Sequence, residues 1–260
     1  MIDISVSHSA RVWNYWLGGK DNYPIDREVG DQFAAVQPSV VDVARASRAF
    51  LIRAVRYLAG EVGIRQFLDI GTGLPTVNNT HQVAQATAPE CHIVYVDNDP
   101  LVLVHARALL TSSPQGVTDY IDADLREPDT ILREAARTLD FTQPVALMLL
   151  GILEHLLDSE APHSIVQRLL DALPSGSYLV LYDPTTEIDG EATLEAARLW
   201  NESGGKPPVV VRSLAELTRF FDGLELLKPG VVSVPLWRPD PTDIGTPVEV
   251  NSFGGVGRKP

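Results

Sequence analysis

From about residue 48 onward the chain alternates amphipathic runs of helical spacing with short, continuous apolar runs. That alternation marks βαβ units around a parallel sheet covered on both faces. Residues 47–59 predict a helix with Phe50, Ala54, Val55 and Leu58 on one face. Residues 66–70 form a short apolar run that meets Gly71-Thr72-Gly73, which predicts a strand entering a tight turn, and helical spacing resumes over 77–88. The β-branched run 92–96 stops at Asp97-Asn98-Asp99-Pro100. There Asp99 suits an N-cap and Pro100 the first helical position, so a helix should follow at once and carry Leu101, Val104 and Ala108 inward.

The same reading gives strands at 117–121 and 145–150, a helix at 130–139, and another marked by Ile165, Leu169 and Leu173. Residues 178–182 are apolar throughout, as a strand buried on both faces requires. Ser213-Leu214-Ala215-Glu216 is a capping-box pattern that opens a helix through Phe221. Residues 224–234 and 248–256 predict a closing antiparallel pair. Against this regular background the first 46 residues stand apart: Trp13, Tyr15, Trp16 and Tyr23 mix with glycines and polar residues without a clean period, which predicts a lid or ligand-contacting segment rather than a core element. The expected organisation is therefore one domain over 1–260, with a lid at 1–46 and a Rossmann-like α/β core at 47–260.

Composition narrows the function. Its 260 residues, 45% of them hydrophobic, suffice for one large core. The net charge of −13 repels polyanions, and the 21 basic residues form no run of five or more, so no nucleic-acid partner is expected. The single cysteine, Cys91, leaves no intramolecular disulfide and suits a reducing cytoplasm. No stretch approaches the roughly 18 apolar residues of a membrane span, and the N-terminus lacks a signal-peptide pattern, so no membrane partner is expected. The six histidines make no zinc-like spacing with acids, and neither a G-x-S-x-G elbow nor a P-loop is present.

The chemistry gathers at the predicted strand ends. Gly71 and Gly73 allow unusual φ and close backbone approach to a ligand at the start of a helix. Thr76 replaces the third glycine of a dinucleotide fingerprint, and Asp69 lies two residues before Gly71. A carboxylate there opposes a pyrophosphate but suits the ammonium of a bound amino acid, such as the methionyl part of S-adenosylmethionine (SAM). Asp97 ends the second strand, where a carboxylate can accept both hydroxyls of a ribose, with Asn98 beside it. Asp122-Ala123-Asp124-Leu125 follows the third strand, in reach of an adenine amino group. Gly151-Ile152-Leu153-Glu154-His155 follows the fourth strand. His155 is a candidate general base and Glu154 an ambiguous neighbour, against the plainer reading of packed residues at a helix start.

Four blocks carry a resemblance: A-R-V-W-N-Y-W-L-G-G-K-D-N-Y at 10–23, Q-F-L-D-I-G-T-G-L-P-T at 66–76, V-Y-V-D-N-D-P at 94–100 and G-G-V-G-R-K at 254–259. Together they resemble the actinobacterial S-adenosyl methyltransferase family, formerly a domain of unknown function, over nearly the whole chain. The resemblance implies the class I methyltransferase fold, a mostly parallel seven-stranded sheet with one antiparallel strand, and SAM as ligand. It maps Asp69, Gly71 and Gly73 to the glycine turn, Asp97 to the ribose, and Asp124 with Leu125 to the adenine; Thr72, Asn98 and Gly151 are further candidates for cofactor binding. It further suggests that Tyr15, Gly19 and Lys20 close over the cofactor and that Arg48 meets the methionyl carboxylate; Ser47 stands where the family often has asparagine. The expected function is methyl transfer to a small neutral or cationic acceptor. Two other readings stay open at this point, a non-catalytic SAM-binding regulator and a nicotinamide-dependent oxidoreductase.

Overall fold

The computed structural model describes residues 3–109, 112–240 and 247–260. Five strands form its centre: β1 (Gln66–Ile70), β2 (His92–Asp97), β3 (Val117–Asp122), β4 (Ala146–Leu150) and β5 (Tyr178–Asp183). Three more follow, β6 (Glu225–Leu226), β7 (Val232–Ser233) and β8 (Phe253–Arg258). The order is β3-β2-β1-β4-β5-β8-β6, with β7 also paired to β8. The first four pairings are parallel, and β8 runs antiparallel to β5, β6 and β7. The mostly parallel sheet and its antiparallel strand match expectation, but the described residues form eight strands rather than seven. The difference lies at 224–234, where Pro229 cannot donate to a ladder and Gly230 takes φ 97°. The run therefore splits into two short strands along the same edge of β8.

The period-two logic of strands is visible in how the core divides. Leu68, Ile70, Val94, Val96, Leu147, Leu149, Leu179 and Leu181 face one apolar layer, with α6 (Pro128–Ala135), α7 (Pro162–Asp171) and α9 (Leu214–Thr218) contributing to it. Their neighbours Phe67, Ile93, Tyr95, Ala146, Met148 and Val180 face the other, beneath α3 (Val40–Tyr57) and α4 (Thr80–Thr87). Because both faces are covered, the central strands read as unbroken apolar runs. Helix α5 (Pro100–Leu109) begins where expected, Asp99 Oδ1 accepting from Leu101 N at 2.8 Å. Its phase differs from expectation: Leu101, Val102 and Ala106 are buried while Val104 is 61% exposed. The side chain of Ala108 lies outside the described residues.

The N-terminal segment is more ordered than its composition suggests. Helix α1 (Ser9–Trp16), α2 (Pro24–Val36) and the first turn of α3 pack with Trp200 of α8 (Gly190–Glu202), burying Val12, Trp16, Val29, Val40 and Ala44. Arg11 is buried against Asp26 at 3.2 Å, and Asp26 also accepts from the backbone of His8 and Tyr23. The segment is thus a packed helical layer, its buried face partly built of paired polar side chains. It lies across the carboxyl ends of β1 and β4, the point where strand order reverses and α/β sheets open a crevice.

Candidate functional site

At that crevice Gly71 takes φ 75° and its N–H donates to Val96 O at 2.8 Å. A Cβ on Gly71 would lie 2.5 Å from the Ile152 side chain, so only glycine fits the turn. Gly73, at φ 64°, has open space where a Cβ would be, and its N–H donates to Asp97 Oδ2 at 2.8 Å. Asp97 Oδ1 accepts from Asp99 N at 2.9 Å. Burial nevertheless pushes the Asp97 carboxyl up to about 6, the two N–H donors holding it down only in part. Asp69 sits behind the turn, accepting from the Thr80 hydroxyl at 2.6 Å, and burial raises it to about 6 as well.

Two cavities meet here. The larger, about 830 Å³ with its open mouth, is lined by Arg48, Gly71, Thr72, Gly73, Asp97, Asn98, Gly151, Ile152, His155 and Tyr182, and on its far side by His8, Ser9, Ala10, Trp13, Asn14 and Leu17. The smaller continues past Asp97 and Asn98 to Ala123, Asp124, Leu125 and Arg126. Asp124 is held in place there, Oδ2 accepting from Asn98 Nδ2 at 2.8 Å and Oδ1 from Arg126 N at 2.9 Å. Arg126 in turn donates to His155 O at 2.9 Å, linking the two floors. Arg48 donates to Asn78 O and Asn79 Oδ1 at 3.0 and 3.1 Å, and its buried Nε has no partner.

Of the residues singled out in the sequence, the structure brings Arg48, Gly71, Thr72, Gly73, Asp97, Asn98, Asp124, Leu125, Gly151 and His155 to this crevice. Asp69 lies just behind it. Tyr15, Gly19 and Lys20 are not among its lining residues. Helical geometry explains this, since Trp13 and Leu17 share the face of α1 that turns to the cleft. Tyr15 instead donates to Asp31 of α2 at 2.7 Å. Gly19 packs its α-carbon against the Asn14 amide, with no room for a side chain, and Lys20 is exposed. Sequence reasoning missed His8, Asn14, Tyr182 and Pro207; Tyr182 alone carried a usable signal, its place near the end of the strand beside β4.

His155 also borders a third cavity, of about 670 Å³, lined by Trp13, Trp16, Phe33, Trp200, Tyr182 and Glu154 among others. Its Nδ1 lies 3.1 Å from Pro208 O. A carbonyl can only accept, so Nδ1 carries the proton and Nε2 keeps its lone pair. Burial lowers His155 to about 4, so the ring is neutral at physiological pH. Glu154 is pushed in the opposite direction, well above the usual carboxylate range, by burial and by the neighbouring Asp183. Among the described residues no His, Cys, Asp and Glu group could hold a metal, and no helix is long and apolar enough to cross a membrane.

A glycine turn without its third glycine, an acid behind it and an acid at the end of the next strand suit a nucleoside joined to an amino acid better than a dinucleotide. The class so defined is the SAM-binding branch of Rossmann-like folds. The chain belongs to the S-adenosyl methyltransferase family, whose model matches residues 1–260, and it is a SAM-dependent methyltransferase. It is similar to a DUF574 family protein from Streptomyces avermitilis, at 45% identity, all of both chains covered and a TM-score of 0.95. A putative methyltransferase from Thermobifida fusca is 41% identical, with 99% of this chain and 96% of that one covered and a TM-score of 0.89. The N-methyltransferase NodS from Bradyrhizobium japonicum, crystallised with S-adenosyl-L-homocysteine (SAH), shares the fold at 14% identity and a TM-score of 0.50, over 84% of this chain and 88% of that one. A search of curated proteins finds no match.

Proposed function

We propose that the protein methylates a small organic acceptor in the cytoplasm, residues 1–260 acting as one unit with 1–46 as the roof of the donor cleft. The supporting observation is that the donor cleft and the aromatic cavity share a wall, His155 with Ser9, Trp13 and Tyr182 bordering both. In this reading Asp97 takes the ribose hydroxyls, Asp124 and Leu125 the adenine, and the turn with Arg48 the methionyl end. SAM supplies an electrophilic methyl group; the protein's residues orient the acceptor and exclude water. His155, its Nδ1 committed to Pro208, presents Nε2 to an acceptor N–H or O–H. A ring titrating near 4 is a weak base, so its role is to aim the nucleophile's lone pair rather than to hold its proton. A net charge of −13 argues against a nucleic-acid acceptor.

The test is to incubate protein, labelled SAM and size-fractionated extract of the source cells, with and without nuclease. Label in a low-molecular-weight fraction, lost with His155→Ala while SAH binding is kept, is the expected result. Label confined to a nuclease-sensitive, high-molecular-weight fraction would refute the proposal.

A further inference from the structure

The aromatic cavity beyond His155 is walled by the rings of Trp13, Trp16, Phe33, Tyr182 and Trp200. Much of its polar wall is already satisfied internally: Gln37 donates to Thr193 at 3.2 Å and Asn251 to Thr193 at 2.6 Å. Glu154 differs. It is 7% exposed, lines the cavity, and no described residue hydrogen-bonds its carboxyl. Behind it Asp183, at the end of β5, is 3% exposed; the backbone N–H groups of Leu153 and Glu154 stabilise its carboxylate, but no side chain hydrogen-bonds it. The nearby cation, Arg212, spends its terminal nitrogens on Leu153 O, Leu156 O and Asp158 at 2.7 to 2.8 Å, so it tempers the field of the two acids without bonding either.

We infer that this cavity is the acceptor site and that it selects a small aromatic amine, its ammonium or N–H anchored by Glu154 with Asp183 behind. Glu154 and His155 Nε2 both offer acceptors, so an occupant must bring donors to avoid leaving buried groups unpaired. Aromatic faces around an acid favour a cation, which they attract through their quadrupoles. Burial holds both acids toward the neutral form, and an ammonium is the occupant that draws Glu154 into ionisation and pairs with it; a ligand carboxylate or phosphate gains no such pairing, and a ring without donors leaves His155 Nε2 unsatisfied.

The inference rests on the neighbouring cleft being the donor site, and the experiment separates the two. The full chain, with and without saturating SAH, is titrated with phenethylamine, 2-phenylethanol and 3-phenylpropionate, read by tryptophan fluorescence and calorimetry. Phenethylamine should bind about tenfold or more tightly than 2-phenylethanol, and 3-phenylpropionate weakest. Glu154→Gln should erase most of that amine preference and leave SAH affinity unchanged. Ala197→Phe, which fills the cavity from α8, should block phenethylamine and also spare SAH. Equal binding of amine and alcohol, amine binding indifferent to both substitutions, or no probe bound by SAH-loaded protein would overturn the inference. Failure of the unsubstituted protein to bind SAH would instead overturn the donor-site reading.

Discussion

Substitution of Asp97 tests the proposed donor site most directly, because its buried carboxyl lies in the wall of the cleft. Its oxygens already accept from Gly73 N and Asp99 N, so Asp97→Ala removes a ligand contact and a turn anchor together. A charge-assisted hydrogen bond to ribose contributes about 1.5–3 kcal/mol, which translates to about a tenfold to hundredfold weaker SAH affinity. Loss of the turn anchor would weaken binding too, so magnitude alone does not assign the contact. pH does. Burial holds Asp97 at about 6 against an ordinary 3.8. Ribose hydroxyls donate to the ionised form, so binding favours deprotonation and releases protons below about pH 6. SAH affinity should rise by up to about tenfold per pH unit as pH approaches 6 from below, then level off. Calorimetry in buffers of different ionisation enthalpy measures the released protons directly. Asp97→Asn should flatten the profile while the protein remains folded. A slope that survives in Asp97→Asn would reassign it to Asp69, which titrates in the same window, and would remove Asp97 from the ribose contact.

The two glycines of the turn should separate cleanly. Gly71→Ala drives a Cβ into Ile152 at a positive φ and should cost about 1–3 kcal/mol with loss of SAH binding, whereas Gly73→Ala meets open space and should cost about 1 kcal/mol, both read from melting temperature and calorimetry. Stability without ligand should fall as pH rises from about 4 through 6: Asp69 and Asp97 have folded values above the unfolded one, so the folded state binds more protons in that window, and each loses about 3 kcal/mol of relative stability. His155, lowered to about 4, opposes this by adding stability as pH rises from 4 to 6.5; Asp69→Asn should therefore raise the melting temperature at pH 7 and leave it unchanged near pH 4.

Where a chemical requirement and a local pattern coincided, the sequence was legible. The strand ends bearing Gly71, Asp97 and Asp124 announce themselves because an apolar run, a turn and an acid fall within a few residues. The cap at Asp99 and the capping box at Ser213, where Ser213 N donates to Glu216 at 2.8 Å, follow the same logic. The N-terminal layer hid itself because α1 buries Arg11 and Asn14 beside Val12 and Trp16, pairing them with Asp26 and Asn22 beyond the end of the helix. Helix α8 gave little signal for a related reason: it buries Thr193, Ala196, Ala197 and Trp200 while Leu194 is 51% exposed, so its apolar stripe is built mostly of small residues and one of its two leucines faces out. The aromatic cavity depends on rings contributed from α1, α2, β5 and α8. No local period encodes such a meeting.

The ionisable groups around the two pockets share one physical bias. Asp69, Asp97, Glu154 and Asp183 are all raised, and His8 and His155 lowered, with burial the largest cause in each. Pockets of this kind resist charge of either sign, since few counter-charges lie within them. On the proposed reading, a cationic donor in the cleft would bring positive charge toward Asp69 and Asp97, and an ammonium in the aromatic cavity would do the same for Glu154 and Asp183. Each ligand would then draw its nearby acids toward ionisation, so that the cost of burying them is offset only when the site is filled. The overall charge of −13 acts in the same direction at long range, favouring the approach of cations and opposing phosphate polymers. Local and global electrostatics therefore select the same class of ligand, a small cation or hydrogen-bond donor, independently of any particular contact.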